Sequence, residues 1–271
     1  MAKQRLDQRL HELGLTTSRE QARRLIMAGE VLVDGQRVDR PAVTVSAGAQ
    51  IEIKARPRFV SRGGEKLDAA LAAFRLDVGG WVCADLGAST GGFTDALLQR
   101  GAARVYAIDV GHGILDYRLR NDPRVVVMEK TNARYLTQLP EPVRLVTIDA
   151  SFISLRLLLP VAAGWLPGGQ GELVVLVKPQ FEAGRRLVGK GGIVKDPAVH
   201  RLVLADLLGW AQANGLPPAG LLRSPLKGAA GNTEFLAWLR PGAGVEFDFD
   251  LPAAIDRALT DPAAQAASGQ G

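Results

Sequence analysis

The sequence has little of several residue types that would indicate particular protein classes. One cysteine, Cys83, excludes an intramolecular disulfide and suits a reducing compartment. The histidines His11, His112 and His200 stand apart, without the spacing of metal ligands or of a Ser-His-Asp hydrolase, so we expect no metal site. No apolar run approaches the roughly 18 residues of a membrane helix, and the polar N-terminus resembles no signal peptide. These absences predict a cytoplasmic protein.

The excess positive charge lies near the N-terminus. Residues 1–66 carry 13 Lys and Arg against 8 Asp and Glu, whereas residues 67–271 carry 20 of each. A chain of 271 residues has room for two unequal domains. A small basic domain joined to a neutral, enzyme-like domain is the arrangement that a nucleic-acid substrate favours.

The N-terminal segment has the pattern of a small α+β domain, which we assign to residues 1–59. Apolar spacing predicts helices near 6–13 and 19–28, and a hairpin follows with Asp34 and Gly35 at its turn. Short strands are predicted near 43–45 and 50–53, before a linker at 54–60. This order resembles the alpha-L RNA-binding domain. The resemblance suggests candidate arginines for RNA phosphate: Arg5, Arg19, Arg23, Arg40 and, after the linker, Arg62.

Beyond the linker, strands alternate with helices in the manner of an α/β protein with a parallel sheet. Strands are predicted near 82–86, 104–109, 124–128, 143–149 and 172–178, and helices near 93–100, 113–120, 154–164 and 197–213. A closing hairpin near 221–226 and 234–240 would complete a seven-stranded, Rossmann-like methyltransferase sheet. We assign this domain to residues 60–250 and expect residues 251–271 to be a flexible tail.

The turn after the first of these strands, residues 86–94, is rich in glycine. It is not a dinucleotide fingerprint, because Ser89 occupies the third position where glycine is required. It is not a phosphate-binding loop either, because Phe93 stands in place of the lysine. A nucleoside-binding methyltransferase turn remains, and so does a turn without a ligand. The candidate residues for S-adenosylmethionine are Asp85, Gly87, Ser89, Thr90, Gly91, Gly92, Phe93, Asp109, Thr131 and Asn132.

Four charged residues could form a catalytic group. Asp149 and Lys178 end two predicted strands, and ligands collect at the carboxyl ends of parallel strands. With Lys66 and Glu234 they match the Lys-Asp-Lys-Glu tetrad of FtsJ-class ribose 2′-O-methyltransferases. Residues 1–240 resemble the TlyA family of ribosomal RNA cytidine 2′-O-methyltransferases, also called haemolysin-like. The matching segments are 61–67, 87–94, 120–127, 131–134, 151–155, 177–182 and 231–235.

The resemblance implies S-adenosylmethionine-dependent methylation of a ribose in ribosomal RNA or ribosomal subunits, without a metal. Lys178 would be the base and Lys66 a neighbouring cation, while Asp149 and Glu234 orient the amines and the hydroxyl. Two other interpretations stay open. The chain could be a non-catalytic RNA-binding or haemolysin-like interaction protein on a retained methyltransferase fold, or it could methylate a base or a protein.

Overall fold

The computed structural model describes residues 3–53, 57–169, 171–242 and 249–260. The chain divides into two compact units, Met1–Arg58 and Phe59–Gly271. Part of the predicted linker, residues 54–56, and the end of the predicted tail, residues 261–271, lie outside the described residues.

The first unit contains two short helices and two small antiparallel sheets. Its elements are β1 (Lys3–Arg5), α1 (Leu6–Glu12), α2 (Arg19–Met27), β2 (Val31–Val33), β3 (Gln36–Val38), β4 (Thr44–Ser46) and β5 (Ile51–Ile53). The sheet orders are β3-β2-β5 and β1-β4. Leu6 and Leu10 of α1 and Ile26 of α2 are fully buried, so the apolar spacing in the sequence does mark the inner helix faces. Strand β1 was not predicted, because only pairing with β4 defines three such polar residues as a strand.

The second unit is built on a seven-stranded sheet, as the alternating pattern predicted. Its strands are β6 (Val82–Leu86), β7 (Arg104–Ile108), β8 (Val125–Met128), β9 (Leu145–Ile148), β10 (Glu172–Val177), β11 (Pro218–Arg223) and β12 (Phe235–Leu239). The order is β11-β12-β10-β9-β6-β7-β8. Strands β6 to β10 are parallel, and β12 runs antiparallel to both β10 and β11.

Helices cover the two faces of this sheet. They are α3 (Arg62–Ala73), α4 (Gly92–Gln99), α5 (Tyr117–Arg120), α6 (Leu159–Gly164), α7 (Pro179–Glu182), α8 (Pro197–Ala213) and α9 (Leu251–Leu259). Two apolar clusters, one of them including Leu97 and the other Leu204, fill the space between sheet and helices. No helix among the described residues is long and apolar enough to span a membrane.

Three helices differ from what the sequence predicted. The helix predicted at 113–120 is only the single turn α5, because residues 111–114 form a loop tied to Glu129. The predicted tail is helical over α9: Asp250 caps it through the Ala253 N–H, and Ile255 is buried in the core. Helix α3 was not predicted at all, since Gly63 and Gly64 in its first turn lower helix propensity.

The strand order reverses between β6 and β9. From β6 the chain proceeds to β7 and β8 on one side, and β9 and β10 lie on the other. Open α/β sheets bind ligands outside the carboxyl ends of the strands at such a switch point. The loops that follow β6 and β9 are therefore where a site is expected.

Candidate active site

A cavity of about 630 Å³ lies at this carboxyl edge of the sheet. All four members of the predicted tetrad line it, although they come from helix α3 and from the ends of three different strand regions. The cavity is lined by Lys66, Asp149, Lys178 and Glu234, together with Gly87, Ser89, Thr90, Gly92 and Phe93 of the glycine turn, and Arg62 and Asn232. The fold thus brings together residues that are 168 positions apart in the chain.

A second pocket of about 400 Å³ adjoins the first. Its lining includes Asp109, Thr131 and Asn132, which the sequence predicted as contacts for the nucleoside of the cofactor. The residues common to both pockets are Gly87, Ser89, Asp149, Ser151 and Phe152. Asp149 is the one tetrad member that lines both pockets, so it lies where they meet.

Gly87 allows the loops after β6 and β9 to touch at this junction. Its φ is +84°, and a Cβ there would lie 2.5 Å from the Asp149 carbonyl oxygen. No side chain fits such a space. Gly91 has a different role from the one predicted: it is buried at the start of α4, where a Cβ would strike Leu119 2.2 Å away, and it lines neither pocket.

Asp85, also predicted to contact the cofactor, lies behind the turn instead. Its carboxylate is fully buried and accepts hydrogen bonds from the Thr94 N–H at 2.9 Å, the Thr94 hydroxyl at 2.7 Å and the Thr147 hydroxyl at 3.1 Å. Burial raises the pKa of Asp85 to about 7, although these hydrogen bonds act in the opposite direction and lower it. The side chain fastens the glycine turn to α4 and β9 and lines neither pocket.

Asp109 follows β7 and faces the second pocket. Its two carboxylate oxygens accept the N–H groups of Ser89 at 2.8 Å and Gly111 at 2.7 Å. Each carboxylate oxygen has a second lone pair, so the group can still accept a hydroxyl from a ligand. The same contacts hold Ser89 at a φ of +51°, a conformation that a non-glycine residue adopts only when its surroundings fix it.

Two glycines bring Lys66 to the cavity. A Cβ on Gly92 would lie 2.3 Å from the Ser61 hydroxyl oxygen and 2.8 Å from the Gly64 nitrogen, so α3 can approach α4 only because this side chain is absent. A Cβ on Gly64 would strike Phe59 at 2.3 Å. These close contacts explain the Gly-Gly pair in the segment 61–67 and fix where α3 presents its lysine.

Lys66 and Glu234 form a buried ion pair. Lys66 Nζ donates to Glu234 Oε2 at 2.5 Å, and their side chains are only 10% and 4% exposed. The Glu234 carboxylate also lies against the backbone of Gly228, where a Cβ would be only 2.3 Å from Oε1. Removing one partner of such a pair leaves an uncompensated buried charge, which is strongly destabilising.

Lys178 and Asp149 form the second pair of the tetrad. Lys178 Nζ lies 2.6 Å from Asp149 Oδ1 in an ion pair whose angle is not that of a hydrogen bond, and Nζ donates to the Ser151 hydroxyl at 2.9 Å. Asp149 is 23% exposed, more than either partner of the Lys66 pair. This pair is therefore the one open to an incoming ligand.

Two side chains that the sequence interpretation missed hold the loops around these pairs. Glu182 accepts the Ser154 hydroxyl at 2.7 Å and the Leu155 N–H at 2.8 Å, and so ties the loop after β10 to the loop after β9. Asn232, only 2% exposed, accepts the Val194 N–H at 2.9 Å and donates to the Gly192 carbonyl at 3.0 Å. They lie in the segments 177–182 and 231–235, which also contain Lys178 and Glu234 of the tetrad.

An exposed aromatic residue stands at the mouth of both pockets. Phe152 is 91% exposed, has a φ of +63°, and packs one side against Phe181 with ring centroids 5.0 Å apart. Exposure of a large apolar side chain in a strained backbone conformation is costly without a function. A ring offered to solvent beside a pocket is a surface on which an unpaired base can stack.

The predicted RNA-binding arginines are divided between the two units. In the first unit, Arg5 and Arg19 both contact the buried Asp7 carboxylate, at 3.0 and 3.5 Å, and the hydrogen bond from Arg5 holds the pKa of Asp7 below its usual value. Arg23 and Arg40 are exposed and have no ion pair among the described residues. Arg62 belongs to the second unit and lines the cavity.

Further exposed cations lie on the loops around the two pockets. They are Lys130, Arg134, Arg185, Arg186 and Lys190, and none forms an ion pair within the described ranges. By contrast, Arg104 and Arg124, which flank the strands elsewhere, are paired with Glu141 and Asp122. The near balance of charges in this unit, 22 Lys and Arg against 21 Asp and Glu in residues 59–271, therefore conceals a basic rim around the pockets. No group of three or more acidic, histidine or cysteine side chains that could hold a metal occurs in the described part of the chain.

The sheet topology, the glycine turn and the acid after β7 together define a Rossmann-like methyltransferase. Comparison with known proteins agrees: residues 59–241 match the FtsJ-like methyltransferase family, and residues 4–51 match the S4 domain.

The relatives are similar over most of their length. The chain is 48% identical to the Mycobacterium tuberculosis 16S/23S rRNA (cytidine-2′-O)-methyltransferase TlyA, covering 87% of this chain and 89% of the relative. It is 42% identical to hemolysin A of Brachyspira hyodysenteriae, covering 86% and 98%. A solved Streptococcus thermophilus structure described as a candidate hemolysin is 43% identical, with a TM-score of 0.69 and coverage of 99% and 97%. The chain belongs to the TlyA-type branch of the FtsJ-like methyltransferases.

Proposed function

We propose that this protein transfers a methyl group from S-adenosylmethionine to a ribose 2′-hydroxyl of ribosomal RNA, at a cytidine as in the Mycobacterium tuberculosis relative. One observation carries the proposal. Two lysines and two carboxylates that can position a hydroxyl and accept its proton line a single cavity, and that cavity joins a nucleoside-sized pocket at Asp149.

The second pocket fits the nucleoside part of S-adenosylmethionine. Its volume lies in the range of small-molecule sites, and the Asp109 carboxylate retains lone pairs for ribose hydroxyls. Thr131, whose N–H donates to the Asp109 carbonyl at 2.9 Å, and Asn132 offer polar groups for the adenine edge. Gly87 and Ser89, common to both pockets, would then adjoin the methionine end.

S-adenosylmethionine supplies a methyl group made electrophilic by its sulfonium. The residues of the chain must do the rest: hold the hydroxyl in line and take its proton. Methyl transfer would replace the carbon–sulfur bond by a carbon–oxygen bond and neutralise the sulfonium, while a neutral amine of the cavity would take up the hydroxyl proton. The total charge of the site would then not change.

Lys178 is the tetrad lysine best situated to be that base. Its amine contacts Asp149 and Ser151, both of which line the two pockets, whereas Lys66 and Glu234 line the cavity alone. Asp149 can orient the amine, and the Lys66–Glu234 pair can hold the hydroxyl from the other side. In-line placement of this kind supplies much of the rate in group transfer.

RNA recognition would use both units. Arg23 and Arg40 of the S4 domain and the basic rim of the methyltransferase domain offer guanidinium and amine groups for phosphate. An enzyme that acts on ribosomal RNA works where ribosomes are, which assigns it to the cytoplasm. Two of the relatives have hemolysin in their names. The residues that line the cavity do not suggest a second chemistry to match that name.

The test compares Lys178→Ala with Lys178→Arg in transfer of tritiated methyl to unmethylated ribosomal subunits. Loss of a general base costs about two to four orders of magnitude in kcat. We expect Arg to be nearly as damaging as Ala, because guanidinium keeps the charge but does not accept a proton near neutral pH. S-adenosylmethionine affinity, measured by calorimetry, should change little in either variant.

Lys195→Ala is the matched control, since Lys195 is an exposed lysine that lines none of the pockets. Near-normal turnover in Lys178→Arg would mean that Lys178 only positions the substrate. Mapping of 2′-O-methyl groups identifies the product. A methyl group found on a base or on a protein would refute ribose methylation.

A further inference from the structure

A third hollow, a groove of about 550 Å³, runs beside the catalytic cavity. Phe152, Gln180 and Phe181 line both, so these three side chains form the partition between them. Ser154, Arg185 and Val188 also line the groove. Nothing in the methyl transfer described above requires this space.

The partition presents aromatic faces to an occupant. The Phe152 and Phe181 rings lie 5.0 Å apart at an angle of 49°, which leaves each with a side that the other does not cover. Stacking on aromatic side chains is the usual way in which proteins hold single-stranded RNA bases. The volume is sufficient for one nucleotide.

Gln180, which belongs to the partition, has a side-chain oxygen without a hydrogen-bond partner. Its Oε1 is buried and accepts no hydrogen bond from the described residues. Buried polar atoms of this kind are rare in folded proteins and ask for an explanation. A rotation of the carboxamide toward a bound donor, such as the amino group of a base, would satisfy it.

The lining of the groove also includes one basic residue, Arg185. Arg185 is exposed and has no ion pair within the described residues. Between Glu182 and Asp196 the sequence carries Arg185, Arg186, Lys190 and Lys195 and no acid. Aromatic rings and an unpaired guanidinium in one groove, with further cations in the same loop, suit a nucleotide, which combines a flat base with a phosphate, better than they suit a peptide.

We propose that this groove binds the nucleotide directly adjacent to the methylated one in a single-stranded segment of RNA. Its base packs on the Phe181 side of the partition, and its phosphate contacts Arg185. This inference rests on the proposed function, since it takes the methylated ribose to lie in the cavity. The groove would then favour substrates in which the neighbour is unpaired as well.

Photocrosslinking tests the assignment. Val188, which lines the groove, is replaced by p-benzoylphenylalanine, and the matched control carries the same residue at Leu187, which lines none of the pockets. Both enzymes are irradiated with unmethylated ribosomal subunits, and adducts are mapped by primer extension. We expect the Val188 variant to give an adduct at a nucleotide next to the methylated one, at several times the yield of the Leu187 variant.

The outcomes separate the two proposals. Absence of any 2′-O-methyl group after incubation with the unmodified enzyme would overturn the proposed function. A methyl group without an adjacent adduct, or with equal adducts from both variants, would overturn the groove assignment alone.

Substitution provides an independent measurement. Arg185→Ala should raise KM for ribosomal subunits about tenfold and reduce the salt slope of binding by about one, whereas Arg186→Ala, which lies outside the groove, should change KM much less. Gln180→Met, similar in size but without the amide, should also raise KM and leave S-adenosylmethionine affinity unchanged. Equal effects of Arg185→Ala and Arg186→Ala would mean that Arg185 contributes only non-specific electrostatic attraction to RNA. That result would contradict the proposed nucleotide site.

Discussion

Asp85→Asn should make the protein more stable at alkaline pH, although it replaces a fully buried residue beside the active site. Burial raises the pKa of Asp85 from 3.8 to about 7. A carboxyl whose pKa is higher in the folded state destabilises the fold once the unfolded chain has ionised. The cost is absent below pH 3.8, grows up to about pH 7, and is constant above it.

The magnitude follows from that difference. A shift of about three pK units corresponds to about 4 kcal/mol above pH 7, since one unit is about 1.4 kcal/mol. Asparagine has no charge to bury and can keep the hydrogen bonds: its oxygen accepts from Thr94, and its amide donates to the Thr147 hydroxyl. That hydroxyl can in turn donate to the Ala84 carbonyl, which lies 3.3 Å away.

The assay is urea unfolding of both proteins at pH 5 and at pH 8. The stability of Asp85→Asn relative to wild type should increase by about 2–3 kcal/mol over that interval. Asp116→Asn is the control, because hydrogen bonds from Arg118 lower the pKa of Asp116, so this carboxyl is ionised in both the folded and the unfolded state from pH 5 to pH 8 and its stability difference should stay constant over that interval. A stability difference for Asp85→Asn that stays constant with pH would refute the account of its burial.

Three other predictions concern the cofactor pocket, the cavity and RNA binding. Asp109→Ala should weaken S-adenosylmethionine binding about tenfold or more in calorimetry, because a charged acceptor contributes about 1.5–3 kcal/mol per hydrogen bond; unchanged affinity would remove it from the site. Asn232→Ala should lower kcat for methyl transfer while cofactor affinity holds, unlike Asn214→Ala, a remote asparagine that also bonds to backbone; equal kcat values would contradict a positioning role. Arg23→Ala with Arg40→Ala should weaken ribosome binding and lower its salt slope by about two, and an unaltered slope would argue against phosphate contacts.

The sheet could be predicted because each parallel strand is an apolar run bounded by polar residues. Strand β10 reads Glu-Leu-Val-Val-Leu-Val before Lys178, and β9 ends in the same way at Asp149. Buried strands require such runs, and the residue after each run must lie at the carboxyl edge. Two of the four tetrad residues could therefore be assigned from the pattern itself.

The remaining features depend on contacts between distant segments. Lys66 lies on a helix that the glycines obscured, and only resemblance to a known family drew attention to it. The glycine turn suggested that Asp85 faces the ligand. The sequence of an acid near the end of a strand does not show whether its side chain points toward the ligand or into the core. Its orientation is decided by Thr94 and Thr147, whose hydroxyls are donors that no local pattern reveals.

The pairing within the tetrad bears on how its members divide the work. Lys66 and Glu234 form the more deeply buried pair, and neither lines the second pocket. Asp149 is the most exposed member of the tetrad and lines both pockets, and Lys178 is paired with it. The two lysines are about equally buried, at 10% and 11% exposed, so the difference lies in their carboxylate partners. We therefore propose proton transfer at Lys178, beside the more exposed carboxylate, and an electrostatic role for Lys66 and Glu234.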